Sequence, residues 1–173
     1  DGRSKEVTFR EFGERSRRAA NAMLGLGAVS GDTVLIMLPR LVEWWEIMIG
    51  CIRGRFISVP ATTMLTTKDI EYRINASGVS IAITDSENVD KIEAVRQACP
   101  TLKKVIVVGK DGSHPKYEDL LRSASADLVN PQNLSSDLLL VYFTSGTTGY
   151  PKMVPATHAS YPIGHDATGK FWM

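Results

Sequence analysis

Hydrophobic and polar positions along the chain follow two periods in turn. Short apolar runs predict buried strands at 33–38, 57–59, 79–84, 105–108 and 138–143. Apolar residues at helical spacing predict helices at 8–26, 42–53, 66–78, 88–98 and 117–122. Strands separated by helices of this length need crossover connections. The sequence therefore predicts an α/β fold with a largely parallel sheet and helices on both faces.

Local signals mark the ends of two of these helices. Thr8 precedes Glu11 by three residues, which is the spacing of a capping box, and Thr66 with Asp69 repeats it. Gly27 stands where a left-handed residue is expected to end the first helix, and Gly78 ends the third in the same way.

The helix predicted at 42–53 is apolar almost all round. Its narrow polar stripe consists of Glu43, Glu46, Gly50 and Arg53. Such a helix packs deeply against a sheet, so we interpret Trp44 and Trp45 as core residues rather than as a platform for stacking bases.

Composition excludes several classes of function. The 173 residues suffice for one domain with a sizeable core. A net charge of +1, from 20 basic and 19 acidic residues, gives no overall field for nucleic acid or an anionic membrane. The longest apolar stretch is too short to span a bilayer. An anionic ligand would therefore have to be held by a local site.

Cys51 and Cys99 are interpreted as buried thiols, and with no CxxC or Cys/His cluster we assign no metal ligand.

The chain begins at Asp1 without a signal peptide, so we expect it to start partway into a longer product. The expected setting is intracellular, and the choice between cytoplasm and mitochondrion stays open.

The candidate chemistry lies in nine residues that follow the last predicted strand. They are Thr144, Ser145, Gly146, Thr147, Thr148, Gly149, Tyr150, Pro151 and Lys152. Glycines let backbone N–H groups converge on an anion, hydroxyls add donors, and Lys152 adds a full positive charge. Charge-assisted hydrogen bonds contribute about 1.5–3 kcal/mol each. Because ligands collect at the carboxyl ends of strands in an open α/β sheet, we predict a phosphate-binding loop.

The alternative is a flexible surface loop rich in Ser, Thr and Gly. Two features argue against it. The loop follows a buried strand directly, and Pro151 and Lys152 stand at a fixed offset behind the second glycine.

The segment from Tyr142 to Lys152 resembles the signature of the family that comprises acyl-CoA synthetases, luciferases and peptide-synthetase adenylation units. It is most similar to the medium-chain acyl-CoA synthetase branch, because of these flanking residues: Phe143, Met153, Tyr161-Pro162 and Gly164-His165. Weaker similarity reaches the rest of the chain, at 8–12, 31–34 and 58–60. The resemblance implies that residues 1–173 are a partial N-terminal (large) domain that ends just after the loop.

For this family the resemblance implies a two-step ligase reaction. A carboxylate attacks the α-phosphorus of ATP to give an acyl-adenylate and pyrophosphate, and coenzyme A then displaces AMP to give a thioester. Mg²⁺ would bridge the phosphates. By the same resemblance Lys152 is catalytic, because it neutralises the departing pyrophosphate. The loop residues that would hold the β- and γ-phosphates are Thr144, Ser145, Gly146, Thr147, Thr148, Gly149 and Lys152.

His158 stands six residues after Lys152, where family members often carry a histidine that lines the acyl pocket. We therefore name His158 as a candidate pocket residue, against the alternative of a packing or surface role. Ala156 replaces a second histidine frequent in the medium-chain branch, and Pro155 precedes it. These departures leave the acyl preference open.

Residues 164–170 spell GxxxxGK, which is the pattern of a nucleotide-triphosphatase loop. Phe171 stands where the Mg²⁺-binding hydroxyl should be, and no apolar strand leads into the segment. We therefore do not interpret it as a phosphate site.

Later segments of the family do not occur in these 173 residues. Absent are the Tyr-Gly-x-Thr-Glu segment for adenine, the Tyr-x-Thr-Gly-Asp segment for ribose, and the small C-terminal domain with its adenylation lysine. We expect the chain alone to have no ligase activity and to bind ATP weakly if at all. We also expect uncovered apolar surface that favours self-association.

Other functions remain open at this point. The parent protein could be an amino-acid or other adenylation unit, the chain could be a nucleotide-binding module without chemistry, or it could be an interaction domain whose loop is incidental. The sequence does not give the acyl chain length or the oligomeric state.

Overall fold

A computed structural model describes residues 6–110, 112–128, 132–145 and 149–172. Its centre is a six-stranded sheet in the order β4-β3-β1-β2-β5-β6. The strands are β1 Thr33–Met37, β2 Ile57–Ala61, β3 Val79–Asp85, β4 Lys104–Val108, β5 Leu138–Thr144 and β6 Lys152–Thr157. Strands β1 to β5 pair in parallel, and β6 pairs with β5 in the antiparallel sense. The predicted largely parallel sheet is confirmed.

Six helices flank the sheet in the described residues. They are α1 Phe9–Gly25, α2 Val42–Gly54, α3 Thr67–Ser77, α4 Val89–Glu93, α5 Tyr117–Ser123 and α6 Ser160–Trp172. The helix predicted at 88–98 is shorter than expected, because α4 stops at Glu93 and a 3₁₀ turn at Arg96–Ala98 follows. Strand β6 and helix α6 are elements that the sequence pattern does not predict.

The helices cover both faces of the sheet, as predicted. On one face α1, α2 and α5 contribute Met23, Ile47 and Leu121 to a core. On the other face α3 and α4 contribute Ile74 and Ile92 to a second core. The two cores hold the strands rigidly between them, so the loops at the strand ends have a fixed base.

The predicted helix signals are found in place. Thr8 and Glu11 form a complete capping box at the start of α1, and Thr66 and Asp69 form another at the start of α3. Gly78 caps α3 in the left-handed conformation with φ 63°, which favours glycine.

The polar stripe of α2 is the line along which it packs on α1. Glu46 is 1% exposed, and its carboxylate accepts hydrogen bonds from Arg15 Nε at 2.5 Å and Tyr117 Oη at 3.2 Å. The Glu46 carboxylate raises the pKa of Arg15, while burial and the same carboxylate raise the pKa of Tyr117. Further along, Arg53 Nε donates to Ser16 Oγ of α1 at 3.0 Å. An ion pair and a side-chain hydrogen bond therefore join the two helices.

Candidate functional site

The glycine- and hydroxyl-rich loop lies at the tip of a hairpin. Strand β5 ends at Thr144 and β6 begins at Lys152, so residues 145–151 connect two paired antiparallel strands. Because β5 runs parallel to β2, the loop lies at the edge where the carboxyl ends of β1 to β5 meet. The sequence predicts this placement at the carboxyl end of a core strand.

Thr144 and Lys152 are register partners, so their side chains share one face of the hairpin. Both residues are exposed, as is Ser145. Gly149 has φ 88°, a conformation that side chains other than glycine rarely adopt. The predicted ligands Gly146, Thr147 and Thr148 lie outside the described residues. The arrangement places hydroxyl and ammonium groups side by side, where an anion could contact both.

Helix α3 contacts both ends of the loop through Tyr72, a residue that no pattern in the sequence singles out. The Tyr72 hydroxyl donates to the carbonyl oxygen of Pro151 at 2.9 Å. Its ring stacks on Tyr150, with centroids 4.7 Å apart and planes at 21°. The same ring meets the edge of Phe143 at 6.0 Å between centroids. Tyr72 therefore packs against the strand before the loop and the residues at its end.

Two cations of α3 lie over the rings of this cluster. Lys68 Nζ is 5.8 Å from the centre of the Tyr150 ring. The Arg73 guanidinium is 5.2 Å from the centre of the Phe143 ring, and it also donates to the Asp69 carbonyl at 3.1 Å. Cation–π contacts of this kind add to the stacking that holds the rings.

A crevice opens between the carboxyl ends of β1 and β2, one strand from the loop. The connection after β1 leads to α2 on one face of the sheet, and the connection after β2 leads to α3 on the other, which makes this a topological switch point. The cavity measures about 730 Å³ and is mainly apolar; its lining includes Pro39, Arg40, Leu41, Trp44, Trp45 and Thr62. Open α/β sheets commonly bind ligands at such points.

The interpretation of Trp45 as a core residue is wrong. Its side chain is 61% exposed at this crevice and meets the Trp44 ring edge-on at 4.7 Å between centroids. Trp44 is partly buried against the core beneath it. Because the inner faces of α2 are taken up by the sheet and by α1, the second tryptophan points outward.

His158 lies at the other end of the hairpin from the loop. Its backbone N–H donates to the carbonyl oxygen of Asp137, the residue before β5, at 3.0 Å. The side chain is half-buried. The structure therefore does not bring His158 next to Thr144 and Lys152, and its role in an acyl pocket stays a prediction.

The GxxxxGK segment at 164–170 lies within α6. Lys170 is paired with Asp166 one turn earlier at 2.6 Å. A regular helix has its backbone N–H groups engaged after the first turn, so this segment does not form a phosphate-cradling loop.

Tyr142, two residues before the end of β5, shares a hydrogen bond with Tyr161 of α6. Burial and a hydrogen bond with Tyr161 raise the pKa of Tyr142 to about 12. This hydrogen bond joins the hairpin to α6. Among the described residues no group of three His, Cys, Asp or Glu side chains could hold a metal ion, and no helix could cross a membrane.

Comparison with known proteins gives one family. The family model for "AMP-binding enzyme" matches residues 1–169. Human acyl-coenzyme A synthetase ACSM5, mitochondrial, is 39% identical in a 170-position alignment that covers 96% of this chain and 29% of that protein. Rat acyl-coenzyme A synthetase ACSM4, mitochondrial, is 37% identical in a 179-position alignment that covers 100% of this chain and 31% of that protein. The chain thus spans less than a third of the length of these relatives.

Solved structures give the same architecture. The anthranilate CoA ligase AuaEII in complex with anthranoyl-AMP matches with a TM-score of 0.89 and 28% identity, over 97% of this chain and 32% of that chain. The N-terminal domain of FACL13 from Mycobacterium tuberculosis, with an inhibitor bound, matches with a TM-score of 0.80 and 28% identity, over 88% of this chain and 37% of that chain.

Proposed function

The chain belongs to the family of AMP-binding enzymes, and we propose that it is the phosphate-binding part of an ATP-dependent carboxylic acid:CoA ligase. Residues 1–173 would form part of the N-terminal (large) domain of that enzyme. The proposal is supported by the relatives, which are acyl-CoA synthetases. The full reaction, its substrates and its cofactors are part of this proposal.

In the first step a carboxylate oxygen forms a bond to the α-phosphorus of ATP. The bond from that phosphorus to the bridging oxygen breaks, and pyrophosphate leaves with the electron pair. In the second step the coenzyme A sulfur attacks the acyl carbon, AMP leaves, and the thiol proton is released. Both steps depend on positioning the reactants and stabilising the charge of the leaving group.

The loop contributes to the first step through its charge and its donors. The Lys152 ammonium neutralises pyrophosphate as it departs, and the Thr144 and Ser145 hydroxyls donate to phosphate oxygens. Gly146, Thr147, Thr148 and Gly149 complete the grip with backbone N–H groups and hydroxyls. The loop contains no carboxylate, so its donor set fits the phosphates, and Mg²⁺ would be held chiefly by the phosphate oxygens.

One observation carries the proposal: Thr144 and Lys152 share a face of the hairpin at the edge where the strands end. The test is exchange of labelled pyrophosphate into ATP by the full-length gene product that carries this chain. We expect exchange that depends on added medium-chain fatty acids. Exchange that depends on amino acids instead would assign an amino-acid adenylation unit, and absence of any acid-dependent exchange would overturn the ligase function.

The 173-residue chain alone is expected to form no acyl-adenylate. It contains the candidate phosphate-binding loop without the family's segments for adenine and ribose and without its adenylation lysine. Robust acyl-adenylate formation by this chain, measured by mass spectrometry of quenched reactions, would contradict this.

We propose an intracellular setting for the enzyme, with the mitochondrion as the compartment to test first. The relatives carry "mitochondrial" in their names. Imaging of the tagged full-length product against a mitochondrial marker decides between this compartment and the cytoplasm.

A further inference from the structure

Tyr72 is the residue through which helix α3 holds both ends of the candidate phosphate loop. Its ring contacts Phe143, which precedes Thr144, and stacks on Tyr150, which lies two residues before Lys152. Its hydroxyl donates to the carbonyl oxygen of Pro151. One half-buried side chain thus connects the two arms of the hairpin where the loop begins and ends.

The hydrogen bond to Pro151 acts on the peptide unit that leads into Lys152. The Pro151 carbonyl and the Lys152 N–H belong to one planar group. The Tyr72 hydroxyl lies 2.9 Å from this carbonyl oxygen. The hydrogen bond therefore also fixes the orientation of the peptide plane between Pro151 and Lys152. Pro151 restricts its own φ as well, so the approach to the lysine has little remaining freedom.

The element that carries Tyr72 is itself firmly held. Ile70 and Ile74 of α3 are fully buried in the core on that face of the sheet. The capping box of Thr66 and Asp69 fixes the first turn of the helix. Tyr72 is therefore attached to a rigid base, and the loop is attached to Tyr72.

We propose that Tyr72 is a positioning residue for the phosphate loop, one that orders residues 149–152 before nucleotide binds. Its role in nucleotide use rests on the function proposed above. An ordered loop does not lose conformational freedom again when ATP arrives, so the ordering improves affinity for ATP. The contact is made equally in the ground state and the transition state. Its loss should raise KM for ATP and leave kcat within about twofold.

Lys68 supports the same arrangement from the side of Tyr150. Its ammonium lies over the Tyr150 ring, and Tyr72 stacks on that ring with nearly parallel planes. Since the two contacts involve the same ring, loss of the Tyr72 ring should loosen Tyr150 more than loss of the Tyr72 hydroxyl alone.

The first test is hydrogen exchange of the nucleotide-free, full-length gene product. Tyr72→Leu removes the ring contacts and the hydroxyl, and Tyr72→Phe removes the hydroxyl alone. We expect faster amide exchange in the peptide covering 145–153 for both variants, with the larger increase in Tyr72→Leu. Unchanged exchange of this peptide in Tyr72→Leu would overturn the proposal.

Tyr117→Phe is the matched control. The Tyr117 hydroxyl also makes one hydrogen bond, to the Glu46 carboxylate, on the opposite face of the sheet. Its loss should leave exchange at 145–153 unchanged. An equal increase in the exchange rate of this peptide in both Phe variants would mean that Tyr72→Phe loosens the fold as a whole. That result would overturn the proposal.

The second test is steady-state kinetics of acid-dependent ATP use. Loss of one neutral hydrogen bond predicts an increase of about 3- to 10-fold in KM for MgATP in Tyr72→Phe, with kcat within about twofold. Tyr117→Phe should keep the wild-type KM. A wild-type KM in Tyr72→Phe, or a fall in kcat alone, would overturn the positioning role. If the wild-type protein shows no acid-dependent ATP use, the proposed ligase function fails, and the exchange experiment still decides whether Tyr72 orders the loop.

Discussion

Thr144 and Lys152 are opposite each other across the hairpin of β5 and β6. Opposite residues of an antiparallel pair have Cβ atoms about 4.5–5.5 Å apart. A hydroxyl and an ammonium group therefore start from neighbouring positions at the end of a core strand. This relationship makes the loop a candidate for gripping the phosphate end of a nucleotide, since an anion there meets a donor and a charge together.

The Arg15–Glu46 ion pair should contribute substantially to stability. Glu46 is 1% exposed, so Arg15→Met leaves a buried carboxylate whose remaining hydrogen-bond partner, among the residues that the structure describes, is the Tyr117 hydroxyl. Removal of one member of a buried pair costs about 3–5 kcal/mol. We expect the free energy of unfolding, measured by urea titration, to fall by an amount in this range. Because the Arg15 side chain is partly exposed, water that reaches the carboxylate from this direction would make the loss smaller.

A surface ion pair of the same kind serves as the control. Arg122 and Asp119 are 78% and 59% exposed, so Arg122→Met should change the free energy of unfolding by about 1 kcal/mol or less. Equal losses for the two arginine variants would contradict the buried role of the Arg15–Glu46 pair.

Gly50 allows α2 to approach α1 closely. A Cβ at this position would lie 2.9 Å from the Ala19 Cβ and 3.2 Å from the Ser16 carbonyl oxygen. Gly50→Ala should therefore destabilise the fold by about 1–3 kcal/mol, despite the better helix propensity of alanine. In α6, no atom of the described residues lies within 4 Å of a Cβ built at Gly164, apart from its chain neighbours and its own helix backbone, so Gly164→Ala should be neutral or stabilising by up to about 1 kcal/mol. The reverse order of thermal midpoints would contradict this packing.

Alkaline pH should destabilise the fold through Cys51. Burial raises the pKa of this thiol from 9.0 to about 12. A raised pKa in the folded state means that the neutral thiol is favoured there, so its contribution is complete below pH 9 and is lost as pH rises towards 12. The free energy of unfolding should fall more between pH 9 and pH 11 in the wild type than in Cys51→Ala. Equal slopes for the two proteins would contradict the buried, unionised thiol.

Most of the parallel core is predictable from the sequence because each element carries its own local signal. The apolar runs of β1 and β3 and the capping boxes at Thr8 and Thr66 lie within a few residues of the structure they indicate. Both cysteines are buried and free of disulfides, as their apolar surroundings indicate.

Other features depend on contacts that no local pattern reveals. Strand β6 contains Pro155, which breaks a strand pattern but is tolerated on an edge strand. Tyr72 meets Pro151 across 79 positions of sequence, so its contact with the loop emerges only in the fold. Trp45 belongs to an apolar run, yet its position around the axis of α2 places its side chain on the exposed face of the helix.

The central claim is that Lys152 acts on the phosphates of ATP during activation of a carboxylic acid. The most direct measurement compares acid-dependent pyrophosphate–ATP exchange by the full-length gene product and its Lys152→Ala and Lys170→Ala variants. Lys170 is the lysine of the GxxxxGK segment within α6, so it serves as the matched control. A charge-assisted contact of about 1.5–3 kcal/mol predicts a loss of about 10- to 150-fold in kcat/KM for Lys152→Ala and a change below about twofold for Lys170→Ala. Wild-type exchange in Lys152→Ala would contradict the claim.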